Sequence, residues 1–332
     1  MPILDDLLKF IEQYNAALAK NETKAAQRLA SAYQAMYRRI SPQIAALAEQ
    51  IASGELTAAE VKKLKSLAAL ENTISDELGA YSGYLRTELG PASLVAANLG
   101  ASFAESVMKY LTGGGDVTKL SGGGLDKILA WLQPGSALYE RIGQLSPFHT
   151  EQVVQSILDA VGRGLGPRQV AAEIISAAEG SFGGGLVDAL RMSRTAQLWA
   201  GREATRANYI ANSDIITGWI WIADLGGNPC MSCVAQHGER FDLDEIQDDH
   251  YNGRCTMIPE IQGQNPVEGM QSGVDWFGGL SETQQQELMG PGKYEAWKGG
   301  QFDLSQMTKT QEDAVYGSMK TETPLQDLVG GE

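Results

Sequence analysis

Cysteine is scarce in this chain, with three among 332 residues, and histidine is no commoner. So few thiols exclude a disulfide-built scaffold and fit a chain folded in a reducing compartment. Long apolar runs are lacking too, and the opening MPILDDLLKF has no basic stretch ahead of its apolar residues. Neither a membrane span nor a secretory leader is therefore expected. Basic side chains thin out toward the end: residues 1–200 carry 18 basic and 20 acidic groups, whereas 201–332 carry 8 and 21. That deficit argues against phosphate-neutralising nucleic-acid binding in the last third, which needs clustered Lys and Arg. No G-x-S-x-G elbow is present, and no Gly-Lys-Ser/Thr follows the glycine runs Gly113–Gly115 and Gly122–Gly124. A nucleophile elbow and a phosphate loop drop out, and the glycines read as a flexible linker. Hydrophobic residues still make up 43% of the chain, enough to bury cores in two or three compact units.

What cysteine there is lies together. Cys230, Cys233 and Cys255 fall in one stretch with His250, in the pattern C-x2-C-x16-H-x4-C. Two short chelating pairs separated by a loop long enough to fold back are the spacing of a tetrahedral zinc site. Three thiolates and one imidazole close the shell, so the metal is read as structural. His237, four residues after Cys233, is the rival nitrogen ligand. His250 is preferred because with Cys255 it makes the second chelating pair, whereas His237-Gly238 reads as a hairpin corner. Around the cluster the apolar period switches to that of strands: Trp219 to Ile222, Glu239 to Phe241 and Thr256 to Ile258. So small a sheet is expected to need the metal to hold its shape, and structural zinc is linked to folding by about 10–16 kcal/mol in short modules.

The rest reads as helix. Apolar residues recur at helical spacing from Ile3 to Leu18, through Leu29, Met36 and Ile40, and from Val61 to Leu78 after the capping box Thr57-x-x-Glu60. Breaks are expected at Asn21–Thr23, Gly54, Gly90-Pro91 and Gly183–Gly185, with Ser41-Pro42 opening or kinking a helix. Further helices are expected over 92–111, 125–142 and 186–213. The last carries Arg191, Arg194, Arg202 and Arg206, read as a solvated face paired with local acids.

The run from Ile157 to Ile261 resembles the head-morphogenesis domain of the phage Mu F-like minor head protein family. The resemblance is carried by an ordered set: ILDAVGRGLGPRQVAAEII, Arg194-Thr195 on a long helix, GWIWIAD, the C-x-x-C pair, GERF, and His250 to Thr256 as H-x-N-x-R-C-T. The downstream DWFGGLSETQQQELMGPGKYEAWKGGQFDLSQM is similar to the family's tail. Two departures stand out: Ala196 follows Thr195 where many members have glutamate, and Gly253 replaces one cysteine of the usual Cys-Arg-Cys close. The resemblance implies a minor head protein of a tailed phage or prophage that acts in head assembly near the portal vertex, without turnover. It implies the portal protein and capsid or scaffold proteins as partners and packaged DNA as a neighbour. It places the chain in the virion after assembly in the host cytoplasm, with the N-terminal helices as the favoured docking surface.

A zinc-dependent hydrolytic deaminase is the competing reading, because His149-Thr150-Glu151 and Pro229-Cys230-Met231-Ser232-Cys233 match H-x-E and P-C-x-x-C. It leaves His250 and Cys255 without a role, and no other catalytic constellation is visible. The expectation is thus a mainly α protein, an N-terminal helical bundle or set of hairpins plus a small zinc-stapled α+β domain. Its segments would be 1–112 (helical, partner-docking), 113–145 (glycine-rich hinge and helix), 146–264 (head-morphogenesis domain with the zinc knuckle) and 265–332 (polar C-terminal helix and tail).

Overall fold

The protein is described from a computed structural model covering residues 2–226 and 228–330. It is mostly helical, with a small sheet region. In chain order the elements are α1 (Pro2–Gly54), α2 (Ala58–Val61), α3 (Lys65–Leu111), α4 (Gly122–Leu129), α5 (Ala137–Gly143), α6 (Leu145–Gly162), α7 (Pro167–Ile210) and β1 (Ile216–Ile222). Then come α8 (Met231–Gln236), β2 (Arg240–Asp242), β3 (Thr256–Ile261), α9 (Gly273–Gly278), α10 (Glu282–Met289), α11 (Pro291–Lys298), β4 (Thr308–Asp313), β5 (Gly317–Glu322) and α12 (Leu325–Val329). Among the described residues no helix is long and apolar enough to cross a membrane.

Several expected breaks are not breaks. α1 runs through Asn21–Thr23, α3 through Gly90-Pro91, and α7 through Gly183–Gly185, while Ser41-Pro42 opens no new helix and lies inside α1. Local propensity yields to tertiary contacts in each case. The Asn21 amide donates to Gln197 Oε1 at 2.7 Å, and Glu22 pairs with Arg194 at 3.3 Å, so the polar interruption is satisfied from α7. Pro91 forfeits one helical bond, yet Leu85, Leu89, Ala92 and Ala96 are buried on both sides of it and keep the axis continuous. At Gly185 a Cβ would lie 2.4 Å from the Tyr33 hydroxyl, so this glycine allows close approach rather than ending a helix. The second glycine run is likewise no linker. Ser121 caps Gly124 N–H at 3.2 Å and Gly122–Gly124 form the first turn of α4.

Two compact units result, both discontinuous in sequence: residues 1–21, 93–130 and 195–332 form one, and 22–92 with 131–194 form the other. In the second, α1 and α3 pack antiparallel, as shown by the pairs Arg28–Glu88, Arg39–Glu77 and Gln50–Ser66. Their buried stripes include Leu29, Met36, Ile40 and Ile44 on α1 and Leu70, Ile74, Leu78 and Leu85 on α3. Tyr33 meets Tyr81 edge to face at 4.8 Å between ring centroids.

The first unit holds the sheet, ordered β2-β1-β3 and antiparallel throughout, with Trp219 opposite Phe241 on one side and Pro259 on the other. These strands match the three expected from sequence, but the sheet is not coreless. Trp219, Ile220, Trp221, Met257 and Ile258 share one apolar core with Leu7, Ile11 and Tyr14 of α1, Phe103, Val107 and Met108 of α3, and Leu198 and Tyr209 of α7. The premise that so small a sheet buries too little to hold itself is therefore corrected: its strands bury apolar side chains in a core shared with three helices. The helices beneath approach unusually closely. A Cβ on Gly100 would fall 2.0 Å from the Gly201 carbonyl oxygen, and the Thr205 hydroxyl reaches both carbonyls, at 3.1 and 3.0 Å. Gly100→Ala is expected to destabilise the protein by about 2–3 kcal/mol, since backbone cannot yield as a side chain would; urea denaturation measures it.

Residues after 264 fold more than their polarity suggested. Phe277, Met289, Tyr294, Phe302, Leu304, Met307 and Leu328 make a second core with Met231 and Val234 of α8. β4 and β5 pair as a six-residue antiparallel ladder from Thr308↔Glu322 to Asp313↔Gly317. A polar helix and tail were expected here; short amphipathic helices and a hairpin stand in their place.

Candidate metal centre

Cys230 is the N-cap of α8, and Cys233 sits one turn in, which puts both sulfurs on the same end of a short helix. Their Sγ atoms are 3.4 Å apart. The second arm is a turn between β2 and β3, where Gly253 N–H bonds the His250 carbonyl at 2.9 Å. Asn252 takes φ 60, a left-handed conformation that asparagine tolerates better than most residues. Gly253 is required by space, because a Cβ there would lie 2.1 Å from the Asp249 carboxylate. The turn delivers His250 Nε2 to 3.1 Å from Cys230 Sγ and 3.2 Å from Cys233 Sγ.

Among the described residues two overlapping groups of metal-capable atoms follow: Cys230, Cys233 and His250, and Cys233, Asp249 and Cys255. Cys233 belongs to both. All four residues of the C-x2-C-x16-H-x4-C pattern line one cavity of about 80 Å³ with Asp224, Asn228 and Arg254. Cysteine and histidine donors at this spacing could hold a metal ion. His237 stands elsewhere: its Nδ1 accepts the Ala223 N–H at 3.0 Å, and the ring belongs to neither group.

Asp249 had no sequence signal beyond its place next to His250, and it organises the centre. Its buried carboxylate accepts His250 N–H at 2.9 Å and Cys255 N–H at 3.2 Å, lies 3.9 Å from Cys233 Sγ, and faces Arg202 at 3.5 Å. Arg202, read from sequence with the solvated arginine stripe, is instead buried and donates to the Gly253 carbonyl at 3.1 Å. The other three arginines do pair with acids, Arg191 with Asp188, Arg194 with Glu22 and Arg206 with Glu203. Thr195 accepts the Asn252 N–H at 3.3 Å through its hydroxyl, tying α7 to the same turn.

The charges are strongly coupled. Hydrogen bonding from Cys233 outweighs burial and, with His250, lowers the Cys230 thiol to about 5. Burial pulls His250 down, but the Cys230 hydrogen bond, the Asp249 and Cys230 charges and the Tyr251 carbonyl together raise the ring to about 9. Cys233 is pushed up by its hydrogen bonds with Cys230 and Cys255 and by burial. The Cys233 bond lowers Cys255, yet burial and the Asp249 charge leave that thiol above its ordinary value. A cation entering here replaces protons on the imidazole and the buried thiols, so its uptake releases protons.

Burial lowers His237 from 6.5 to about 4, and the neutral ring is the one that accepts from Ala223. A histidine depressed in the folded state contributes stability that is present above its unfolded value, erodes as pH falls below 6.5, and is gone below about 4. At 1.36 kcal/mol per pKa unit this amounts to about 3 kcal/mol. His237→Gln, which can still accept from Ala223, is expected to gain on the parent by that order between pH 7 and pH 4 in denaturant titrations (about 3 kcal/mol).

The H-x-E residues take no part in either group. His149 is buried and its Nε2 lies 3.1 Å from Asp188, while Glu151 is exposed. Searches of family models, curated proteins and solved structures return no match to this chain.

Proposed function

We propose that the cluster is a structural zinc centre and that the chain is a minor head protein of the Mu F-like type, acting in phage head assembly near the portal vertex. The observation that carries this is convergence. Residues of the ordered motif set lie far apart in sequence, yet Thr195, the C-x-x-C pair and the His250–Cys255 turn meet within one centre. A motif set whose members share a physical task is better support than the same letters scattered over the fold.

Zinc is the metal these donors favour. Thiolates and imidazole select it over hard cations. A tetrahedral S/N zinc shell has donor–donor edges of about 3.5–3.8 Å, and the three short edges here, 3.4, 3.1 and 3.2 Å, come within about 0.4 Å of that. Cys230, Cys233 and His250 would hold the ion, and Cys255, which lies with Cys233 and Asp249, would close the shell by drawing in toward them, with Asp249 orienting His250 and Cys255. A shell of three thiolates and one imidazole would leave no open position on the ion, which supports a role in assembly without turnover.

The N-terminal helices remain the favoured docking surface, but they are not a detachable arm, because Leu7, Ile11, Phe103 and Val107 are core residues. Deleting residues 1–110 would unfold the protein and test nothing. The test keeps the full chain: co-sedimentation with purified portal rings, and mass spectrometry of particles counting this chain against the portal. Binding to the rings and a fixed ratio in particles are expected. Absence from particles, with no binding to portal, overturns the assembly reading.

A further inference from the structure

Both arms of the metal centre are gripped by one hairpin that the motif set does not include. On the cysteine arm, Thr308 of β4 bonds Ser232, hydroxyl to hydroxyl at 3.1 Å and hydroxyl to carbonyl at 3.2 Å. Glu322 of β5 accepts the Met231 N–H at 3.2 Å and is itself held by Lys293. Met231 and Ser232 are the two residues between Cys230 and Cys233. On the histidine arm, the Lys320 N–H donates to the Asp248 carbonyl at 2.5 Å, and the Ser318 hydroxyl donates to the Asp248 carboxylate at 2.8 Å. Beyond His250, the Tyr251 hydroxyl bonds Asp313, and its ring meets Tyr316 edge to face at 5.6 Å. Asp248 and Tyr251, on either side of His250, are thus held by the same two strands that bond Met231 and Ser232, and Tyr251 also by the turn between those strands.

The two arms meet through the donor atoms themselves and through Asp249, whose carboxylate lies 3.9 Å from Cys233 Sγ. A six-residue helix and a four-residue turn are too short to be rigid alone. The hairpin is a continuous ladder, and both arms dock on it.

We propose that hairpin β4–β5 is the clamp that sets the spacing of the two metal-binding arms, so that docking of the hairpin and binding of the ion stabilise each other. This rests on the metal-centre reading above. Pre-spaced donors lose less freedom when the ion binds, which raises affinity without any new ligand. Reciprocity follows: whatever the hairpin adds to metal affinity, the metal adds to hairpin docking. The polar, acidic C-terminal stretch then has a definite task as the outer support of the centre.

The experiment is a competitive zinc titration of the full-length protein against a chromophoric chelator. Glu322→Ala combined with Thr308→Val is expected to weaken zinc binding about tenfold, the low end of the range for losing a group bonded to a ligand, because both act through Met231 and Ser232 between the two cysteines. Lys309→Ala, which removes only the Lys309–Asp327 pair on the same hairpin, is expected to stay within about twofold of the parent. Hydrogen exchange on the unaltered protein supplies a second readout that does not depend on a variant folding. The Lys320 amide is expected to exchange at least about tenfold faster after zinc is stripped, while buried amides of α3 keep their rates. Equal affinities for the double variant and the parent, or a Lys320 amide indifferent to zinc, overturn the clamp while leaving the metal centre standing. A parent protein that binds no zinc overturns both.

Discussion

Cys233→Ser is expected to abolish stoichiometric zinc binding and to lower stability by about 4 kcal/mol in zinc-replete buffer. Cys233 is the one residue shared by both groups of metal-capable atoms, lying within reach of Cys230, His250, Asp249 and Cys255. A serine hydroxyl there is a hard, neutral donor where a thiolate is needed. The size follows from mass action: an ion at about a thousand times its Kd stabilises the folded state by about 4 kcal/mol, and a variant that cannot bind forgoes it. The fall stops short of unfolding. The strands beside the cluster also share a core with three helices, so Trp219 and Trp221 stay buried when the metal is lost. Elemental analysis and a thermal melt with and without chelator measure both parts. Parent and variant melting together, each without zinc, would contradict it.

Asp249→Ala is expected to cost about 3–5 kcal/mol even with the metal chelated away. Its carboxylate and the Arg202 guanidinium face each other at 3.5 Å with side chains 1% and 5% exposed. Removing one partner strands the other charge in the interior, and that loss exceeds what the pair adds as a pair. Two backbone donors, at His250 and Cys255, lose their acceptor in the same step. Asp249→Asn keeps an acceptor and should cost less. Combining it with Arg202→Met should recover part of the loss, because no lone charge remains. Chemical denaturation of the parent, Asp249→Asn, Arg202→Met and their combination in chelator closes the cycle. If Asp249→Ala falls within about 1 kcal/mol of the parent, the buried pair is not the support described here.

The metal-capable residues were legible because ligand spacing is a local property. A C-x2-C pair must present two sulfurs together whether it sits in a turn or, as found, across the first turn of α8. The three strands were legible for a similar reason, since Trp219-Ile220-Trp221-Ile222 departs from the helical period of everything before it. The choice of His250 over His237 also rested on spacing, and in the structure His250 meets Cys230 and Cys233 while His237 bonds Ala223.

What stayed hidden depends on partners distant in the chain. Asn21, Pro91 and Gly185 carry the marks of helix breakers, and each is overruled by a neighbour on another helix or by burial on both flanks. Arg202 is indistinguishable by composition from Arg191, Arg194 and Arg206, yet it alone turns inward, because Asp249 and the Gly253 carbonyl lie 47 and 51 residues away in sequence and under 4 Å away in space. The polar residues 308–322 look like solvated tail until the hairpin is seen holding Ser232 and Asp248. Periodicity and ligand spacing are written within a few turns of chain, so the three strands of the sheet and the cysteine and histidine donors could be read directly. Which polar side chains face inward is decided by charges and carbonyls brought close only by folding.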